Sequence, residues 1–506
     1  MLARILSSGV VGIEGLLVEV EVDVSNGLPT FAIVGLPGEE IRESRDRVRA
    51  ALKNSGFEFP AKRIVVNLAP ATVKKEGGSF DLPIAVGLAL ASGQVTAESD
   101  AHYLLLGELS LDGSLKRVRG ALCMVASVAG SRLAGVILPS ANAQEAVVST
   151  DKPVYGVATL SEVLAILKGE HRPVAAVAGP LGPPGRDTYD VDFGEVRGQE
   201  HAKRAIEVAA AGNHNILLTG PPGSGKTMIA RRIPTILPPM TVAEAIETTK
   251  IFSVAGLLSE DGLLVRRPFR SPHHSISDVA LVGGGRVPRP GEVSLATHGV
   301  LFLDEFTEFR RSALEVLRQP LEDRVVTISR AHSSVTYPAN FMLIAAMNPC
   351  PCGNLTDPKK ECRCGVGDVE RYRRKISEPL LDRIDIHVEI PPARYSEISG
   401  EGSAEASGAI RGRVERARAV QERRFSEDPG VFTNSQMLTR QMRRFCRLDA
   451  RSAELLKAAT MRLGLSARSY TKVLKVARTI ADLQGNDAIE ASHVAEAIQY
   501  RSQDHR

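Results

Sequence analysis

Apolar residues in the first 170 positions follow two different periods. Val10 to Ser25 (VVGIEGLLVEVEVDVS) and Leu28 to Pro37 (LPTFAIVGLP) alternate apolar and polar positions, which predicts strands separated by a turn at Gly27 and Pro29. Gly38 to Gly56 changes to helical spacing and stops at a glycine. Ala61 to Pro70 predicts another strand, Ser79 to Gly93 a buried helix, and His102 to Gly113 a strand running into a turn. Residues 171–190 are rich in Pro, Gly and Ala and predict a linker. A second α/β pattern covers 191–392. From Tyr395 the spacing is helical, with a Gly/Ser/Ala-rich break at 400–408, and Leu465 to Leu483 forms a long amphipathic helix. The expected architecture is therefore an α/β domain over 1–170, a linker over 171–190, an α/β module over 191–392 and a helical domain over 393–506.

Composition narrows the class. The 506 residues are 43% hydrophobic and 24% charged, as in ordinary globular proteins. No apolar run approaches the ~20 residues that span a bilayer, and the N-terminus lacks a cleavage-site pattern. Both point to a cytoplasmic protein without a membrane partner. The net charge is only +4, but from Arg394 onward 20 Lys and Arg stand against 14 Asp and Glu. That excess fits either a solvated helical surface or an anionic partner.

The sharpest chemistry lies at Gly220-Pro221-Pro222-Gly223-Ser224-Gly225-Lys226-Thr227. It follows an apolar strand (Ile216 to Thr219) and precedes a helical pattern. The glycines let successive N–H groups face a phosphate, and the helix start adds partial positive charge. Lys226 reaches the β- and γ-phosphates of ATP, and the Thr227 hydroxyl ligates Mg²⁺. Val300 to Leu303 is a second buried strand, ending in Asp304 and Glu305. Asp304 is placed to hold Mg²⁺ and Glu305 to activate water as a general base. A third apolar strand ends in Asn348, whose amide can bond the γ-phosphate or the attacking water. Arg383 sits between two acids in EPLLDRIDIHVEI. A buried ion pair is one reading; the other is a finger arginine that crosses to a neighbour's nucleotide, which requires a closed head-to-tail ring.

Cysteine use is clustered. Cys123 and Cys446 stand alone in apolar or helical surroundings and are expected in the core. Cys350, Cys352, Cys362 and Cys364 form two Cys-x-Cys pairs in a Gly/Pro-rich loop. Four thiolates can complete a closed, structural Zn²⁺ site; reduced surface thiols are the alternative. His273 and His274 have no matching ligand pair and are expected to be structural.

The run from Arg266 to Phe306, with AAMNPCPCG and LLDRIDIHVEIP, resembles the magnesium-chelatase-like AAA+ proteins. Nearly the whole chain resembles their ComM/YifB branch. The resemblance implies an AAA+ P-loop α/β core with a C-terminal helical lid, working as a homo-hexamer that converts ATP and water to ADP and phosphate. It places motor roles on Lys226, Thr227, Asp304, Glu305, Asn348, Arg383 and Arg468, the last expected to contact the γ-phosphate within its own subunit. It further implies a DNA helicase driving branch migration in natural transformation, with single-stranded and branched DNA and recombination proteins as partners; a protein-remodelling motor of the chelatase type is the alternative. In such proteins a hairpin projects into the ring pore, which puts Arg330 and His332 on DNA. Arg266, Arg267 and Arg270 lie in a second candidate insertion, and Lys74 and Lys75 are weaker candidates. The N-terminal domain resembles the Lon-protease/S5-like fold. Ser79 occupies roughly the nucleophile's loop, but Val118 to Asp151 contains no lysine to serve as its base, so no peptidase activity is expected.

Overall fold

The computed structural model describes residues 1–96, 102–177, 189–258, 262–330, 333–392 and 404–501. The N-terminal strands are β1 (Leu2–Val11), β2 (Glu14–Ser25), β3 (Thr30–Val34), β4 (Arg63–Ala69), β5 (Tyr103–Leu105), the short pair β6 (Glu108–Leu109) and β7 (Leu115–Lys116), β8 (Gly135–Pro139) and β9 (Val154–Val157). Seven of them form one mixed sheet in the order β3-β4-β2-β1-β5-β8-β9. The stretch from Val10 expected as one strand is the end of β1, a turn and then β2. Gly12 (φ +67°) makes that turn, and Val11 pairs with Glu14 across it. The sequence pattern hid β1 because Ser7, Ser8 and Gly9 interrupt its alternation, although both serines are buried. The buried helix Asp81–Ala91 packs on β1 and β2, in line with its apolar composition.

The second module contributes β10 (Ile216–Thr219), β11 (Phe269–Arg270), the pair β12 (Gly283–Gly284) and β13 (Arg289–Pro290), β14 (Val300–Leu303), the hairpin β15 (Val325–Arg330) and β16 (Ser333–Pro338), β17 (Met342–Met347) and β18 (Ile386–Glu389). Five strands pair in parallel in the order β11-β14-β17-β10-β18. Parallel strands covered on both sides must be apolar on both sides, and two cores meet at this sheet. Ile216, Leu218, Val300, Phe302, Ile344 and Ile386 join one with the helix Glu200–Gly212 and the C-terminal helices. Leu217, Leu301, Leu303 and Leu343 join the other, together with Ile13 and Cys123 of the N-terminal domain. Cys446 is buried with the C-terminal helices.

The C-terminal region is helical over Ser407–Arg424, Thr439–Phe445, Ala450–Leu463, Ala467–Gln484 and Ala491–Gln499. Part of its basic excess is spent internally rather than on a solvated face. Arg424 bonds Asp482 at 2.7 Å, Arg413 pairs with Glu207, and Lys472 meets Asp385 at 2.6 Å. Desolvation lowers the pKa of the half-buried Arg418 to about 9, and it donates to the Ala210 carbonyl at 2.8 Å. Of the expected linker, 178–188 lies outside the described residues, and the described remainder forms neither helix nor strand. No helix among the described residues is long and apolar enough to cross a membrane.

Candidate ATPase site

The phosphate-binding loop leaves the carboxyl end of β10, where parallel α/β sheets place their ligand chemistry. Gly220 must lack a side chain: a Cβ there would lie 2.3 Å from the Ile390 carbonyl oxygen. Gly225 has φ +88° and opens the helix Lys226–Ala230. That helix is short because Pro234 follows, and a 3₁₀ turn, Ile233–Ile236, takes over. The Lys226 ammonium donates to the carbonyls of Gly220 (2.7 Å) and Pro221 (3.0 Å) and to Asn348 Oδ1 (3.3 Å). Burial lowers its pKa, with Asp304 opposing. Thr227 Oγ1 donates to Asp304 Oδ2 at 2.6 Å. The parallel order β10-β17-β14 thus brings Lys226, Thr227, Asp304 and Asn348 together from three separate strand ends.

These groups fit a nucleotide and its metal. The Ser224 hydroxyl is buried without a partner among the described residues, and it lies within the loop, 2.9 Å from where a Cβ on Gly220 would sit. The paired oxygens of Thr227 and Asp304 are hard ligands of the kind Mg²⁺ takes. Bound there, ATP and Mg²⁺ would supply an electrophilic γ-phosphorus, with Lys226 neutralising its oxygens.

Glu305 follows in a left-handed conformation (φ +51°), with its side chain largely exposed. Its carboxylate lies 3.0 Å from His274 Nδ1. The sequence offered no signal for this pairing, since His274 enters from the segment after β11, the neighbour of β14. Gln199 carries no motif signal in the sequence either. It takes φ +57° at the start of the helix Glu200–Gly212, and its amide donates to the Ser224 carbonyl at 2.6 Å.

Arg383 and Arg468 are elsewhere. Arg383 precedes β18, beside Asn215, which precedes β10, so it lies at the amino ends of the strands. From Asn215 to Gly220 the chain climbs roughly 16 Å at ~3.3 Å per residue. Arg383 bonds Glu322 at 2.6 Å and the Pro379 carbonyl, and Arg468 reaches the same Glu322 carboxylate at 3.5 Å. Arg468 is therefore not beside the phosphate-binding loop of its own chain. The helix it opens is docked to the start of β18, where Arg501 donates to Ser469 at 2.7 Å and to the Ile384 carbonyl. The expected contact with the γ-phosphate in the same subunit does not fit this arrangement.

Several expected DNA contacts are also placed differently. Arg267 bonds the Pro238 and His298 carbonyls (2.5 and 2.6 Å) and Glu244 (3.0 Å), which locks it into the fold. Arg270 makes a two-pronged pair with Glu292 at 2.6 and 2.7 Å. Arg266 packs over the Tyr189 ring. The Lys75 ammonium is buried against the carbonyls of Gly35 and Pro70. Arg330 ends β15 and pairs in register with Ser333, but its side chain and all of His332 lie outside the described residues. Ser79 is buried, and its hydroxyl has no partner among the described residues.

Cys350, Cys352, Cys362 and Cys364 converge, with all four sulfurs within 4.8 Å of one another. Backbone N–H groups of Asn354 and Arg363 lower the Cys352 thiol to about 6. Burial instead raises Cys123 and Cys446 to about 12.

A parallel sheet with its phosphate loop at the strand ends, an acid pair on the next-but-one strand, and a helical lid define an AAA+ ATPase module. Family models agree. "Magnesium chelatase, subunit ChlI" matches residues 192–398, "Subunit ChlI of Mg-chelatase" matches 20–142, and "Magnesium chelatase, subunit ChlI C-terminal" matches 404–501. The chain is 43% identical to competence protein ComM of Haemophilus influenzae, covering 99% of this chain and 97% of that protein. It is 42% identical to YifB of Escherichia coli over 97% of this chain and 96% of that protein. Lon protease 2 of Bacillus subtilis is 29% identical over 220 residues, 38% of each chain. The protein belongs to the ComM/YifB family of magnesium-chelatase-like AAA+ proteins, and this membership implies use of a nucleotide and Mg²⁺.

Proposed function

We propose that the protein is an ATP-driven, cytoplasmic, hexameric DNA translocase that promotes branch migration in homologous recombination, with a role in competence like that named for its Haemophilus relative. The observation that carries the ATPase half is the convergence of Lys226, Thr227, Asp304 and Asn348, with Glu305 adjacent. The ring is supported by the opposite placement of Arg383 and Arg468. Cations at the amino ends of the strands cannot serve their own phosphate loop, but in a head-to-tail ring they face the loop next door. DNA is supported by family membership and by two hairpins, β12–β13 and β15–β16, that stand beside each other; Tyr337 of the second donates to the Pro288 carbonyl between the strands of the first at 2.8 Å. The four cysteines hold a structural Zn²⁺ in this reading.

The test measures ATP hydrolysis with and without single-stranded or forked DNA. Stimulation by DNA, abolished in Lys226→Ala together with strand exchange on a branched substrate, is the expected result. Hydrolysis indifferent to DNA, with no DNA binding, would overturn the translocase. Stimulation by a protein partner instead would favour a remodelling motor of the chelatase type; this chain is 26% identical over 161 residues, 31% of its length, to a magnesium-chelatase 67 kDa subunit of Chlorobaculum parvum.

A further inference from the structure

The cysteine loop is built onto the ATP site at three points. Cys350 follows Asn348 after a single proline, and Asn348 accepts from Lys226 at 3.3 Å. Gly353 has φ +80° and lies so close to the phosphate loop that a Cβ on it would sit 2.5 Å from Pro222 Cδ. The helix Val366–Arg373, which closes the loop, carries Tyr372. Its oxygen accepts from Thr307 Oγ1 at 2.5 Å, three residues past Asp304, and from the Asn348 backbone N–H. The segment from Asn348 to Gly365 forms no helix or strand of its own. Within it, turn bonds from Gly353 N–H to the Cys350 carbonyl and from Asp357 N–H to the Asn354 carbonyl, both 3.0 Å, give local support only.

The sulfurs supply the means. Their separations are 3.4 Å for Cys350–Cys352, 3.7 Å for Cys350–Cys362 and 3.6 Å for Cys352–Cys362. These are far from the ~2.05 Å of a disulfide. They are near the ~3.8 Å edge of a tetrahedron whose metal–sulfur bonds are ~2.3 Å. Metal binding at such a site pins a loop whose ends would otherwise pay closure entropy.

Resting on the reading of these cysteines as a metal site, we propose that the metal is a positioning clamp for ATP hydrolysis. It fixes the Asn348 amide and the Gly353–Pro222 contact, so the motor depends on an ion that touches no nucleotide. Cys350, Cys352, Cys362 and Cys364 are then positioning residues, and Gly353 is the contact through which they act on the phosphate loop.

The experiment uses full-length protein purified without chelator. Zinc per subunit is measured by elemental mass spectrometry, ATPase by phosphate release, and nucleotide affinity with a fluorescent ADP analogue. One zinc per subunit is expected. Stripping it with a chelator is expected to lower kcat about 10²-fold, the order that a misplacement near 1 Å costs, and to weaken nucleotide binding; adding zinc back restores both. Cys364→Ser should lose zinc and ATPase together. Gly353→Ala should keep its zinc and still lose ATPase, which separates positioning from metal binding. Zinc that binds at one per subunit, but whose removal leaves kcat and affinity unchanged, overturns the clamp while leaving the metal site standing. Protein that takes up no zinc, and no other divalent transition metal, overturns the metal site and the clamp with it. Either result leaves DNA-stimulated hydrolysis to be judged separately.

Discussion

His274 Nδ1 lies 3.0 Å from the carboxylate of Glu305. The ring is held there by a tilted contact with His273 (centroids 4.1 Å apart, planes at 34°) and an edge-on contact with Phe309 (6.4 Å). A general base must offer its lone pair to the attacking water, and a ring N–H on the same carboxylate competes with that water. His274→Ala is therefore expected to raise ATPase measured without DNA, up to about ten-fold, because a hydrogen bond to a charged group is worth roughly 1.5 kcal/mol at the low end and this half-exposed pair is screened by solvent. The double variant with Glu305→Gln should stay inactive. A rate that falls in His274→Ala would mean instead that the imidazole orients the base.

The phosphate loop and the acid pair should fail in different ways. Lys226→Ala removes the cation that meets Asn348 and the loop carbonyls, and is expected to lose nucleotide binding as well as hydrolysis. Glu305→Gln keeps the site's shape and its Asp304–Thr227 pair, so a fluorescent ATP analogue should bind within about three-fold of wild type while hydrolysis falls about 10²–10⁴-fold. Equal loss of binding in both variants would remove Glu305 from the role of base.

The parts of this site legible from sequence are those where one short segment carries both the chemistry and its context. Gly220 to Thr227 is flanked by its own strand and helix, and Asp304 and Asn348 each end an apolar run. Pairings made by strand order were not legible. His274 meets Glu305 because β11 lies beside β14, and Glu322 joins Arg383 to Arg468 across 61 and 146 residues. Arg267 and Arg270 looked like free cations in the sequence because Glu244 and Glu292 stand 23 and 22 residues away. In the fold, the four cysteines were the reverse case: their spacing already announced a cluster, and the chain brings them together.

The core beneath the site should show a bell-shaped stability profile. His298 takes φ +58° and bonds Glu244 and Glu247. Burial pushes its imidazole down, but the two carboxylates outweigh that and raise its pKa above 6.5. Glu244 is pushed up by burial, yet His298, Arg267 and the Thr241 N–H hold it near 2, below its ordinary 4.5. The His298 contribution is complete below its unfolded value and is lost as pH rises through the raised folded value. The Glu244 contribution is complete above about 4.5 and is lost as pH falls toward 2. Thermal unfolding followed by circular dichroism should therefore show this cluster at full strength between about pH 4.5 and 6.5. His298→Gln should flatten the alkaline limb; an unchanged limb would place the titration elsewhere.

Arg383 and Arg468 share Glu322 at the end of the sheet away from their own Lys226, so in the proposed head-to-tail ring they would act on another subunit's nucleotide. Arg383→Ala should still bind nucleotide at its intact phosphate loop but hydrolyse it about 10³-fold more slowly, the low end of what a finger arginine supplies. Lys226→Ala should be inactive for the complementary reason. When the two inactive proteins are mixed, some interfaces pair an intact loop from the first with an intact Arg383 from the second. ATPase should then reappear and peak near equal proportions. A monomeric enzyme, or one whose arginine acts within its own chain, cannot recover in this way. Mixtures that stay inactive at every ratio, although light scattering shows the variants co-assembling, would return Arg383 to a buried structural ion pair.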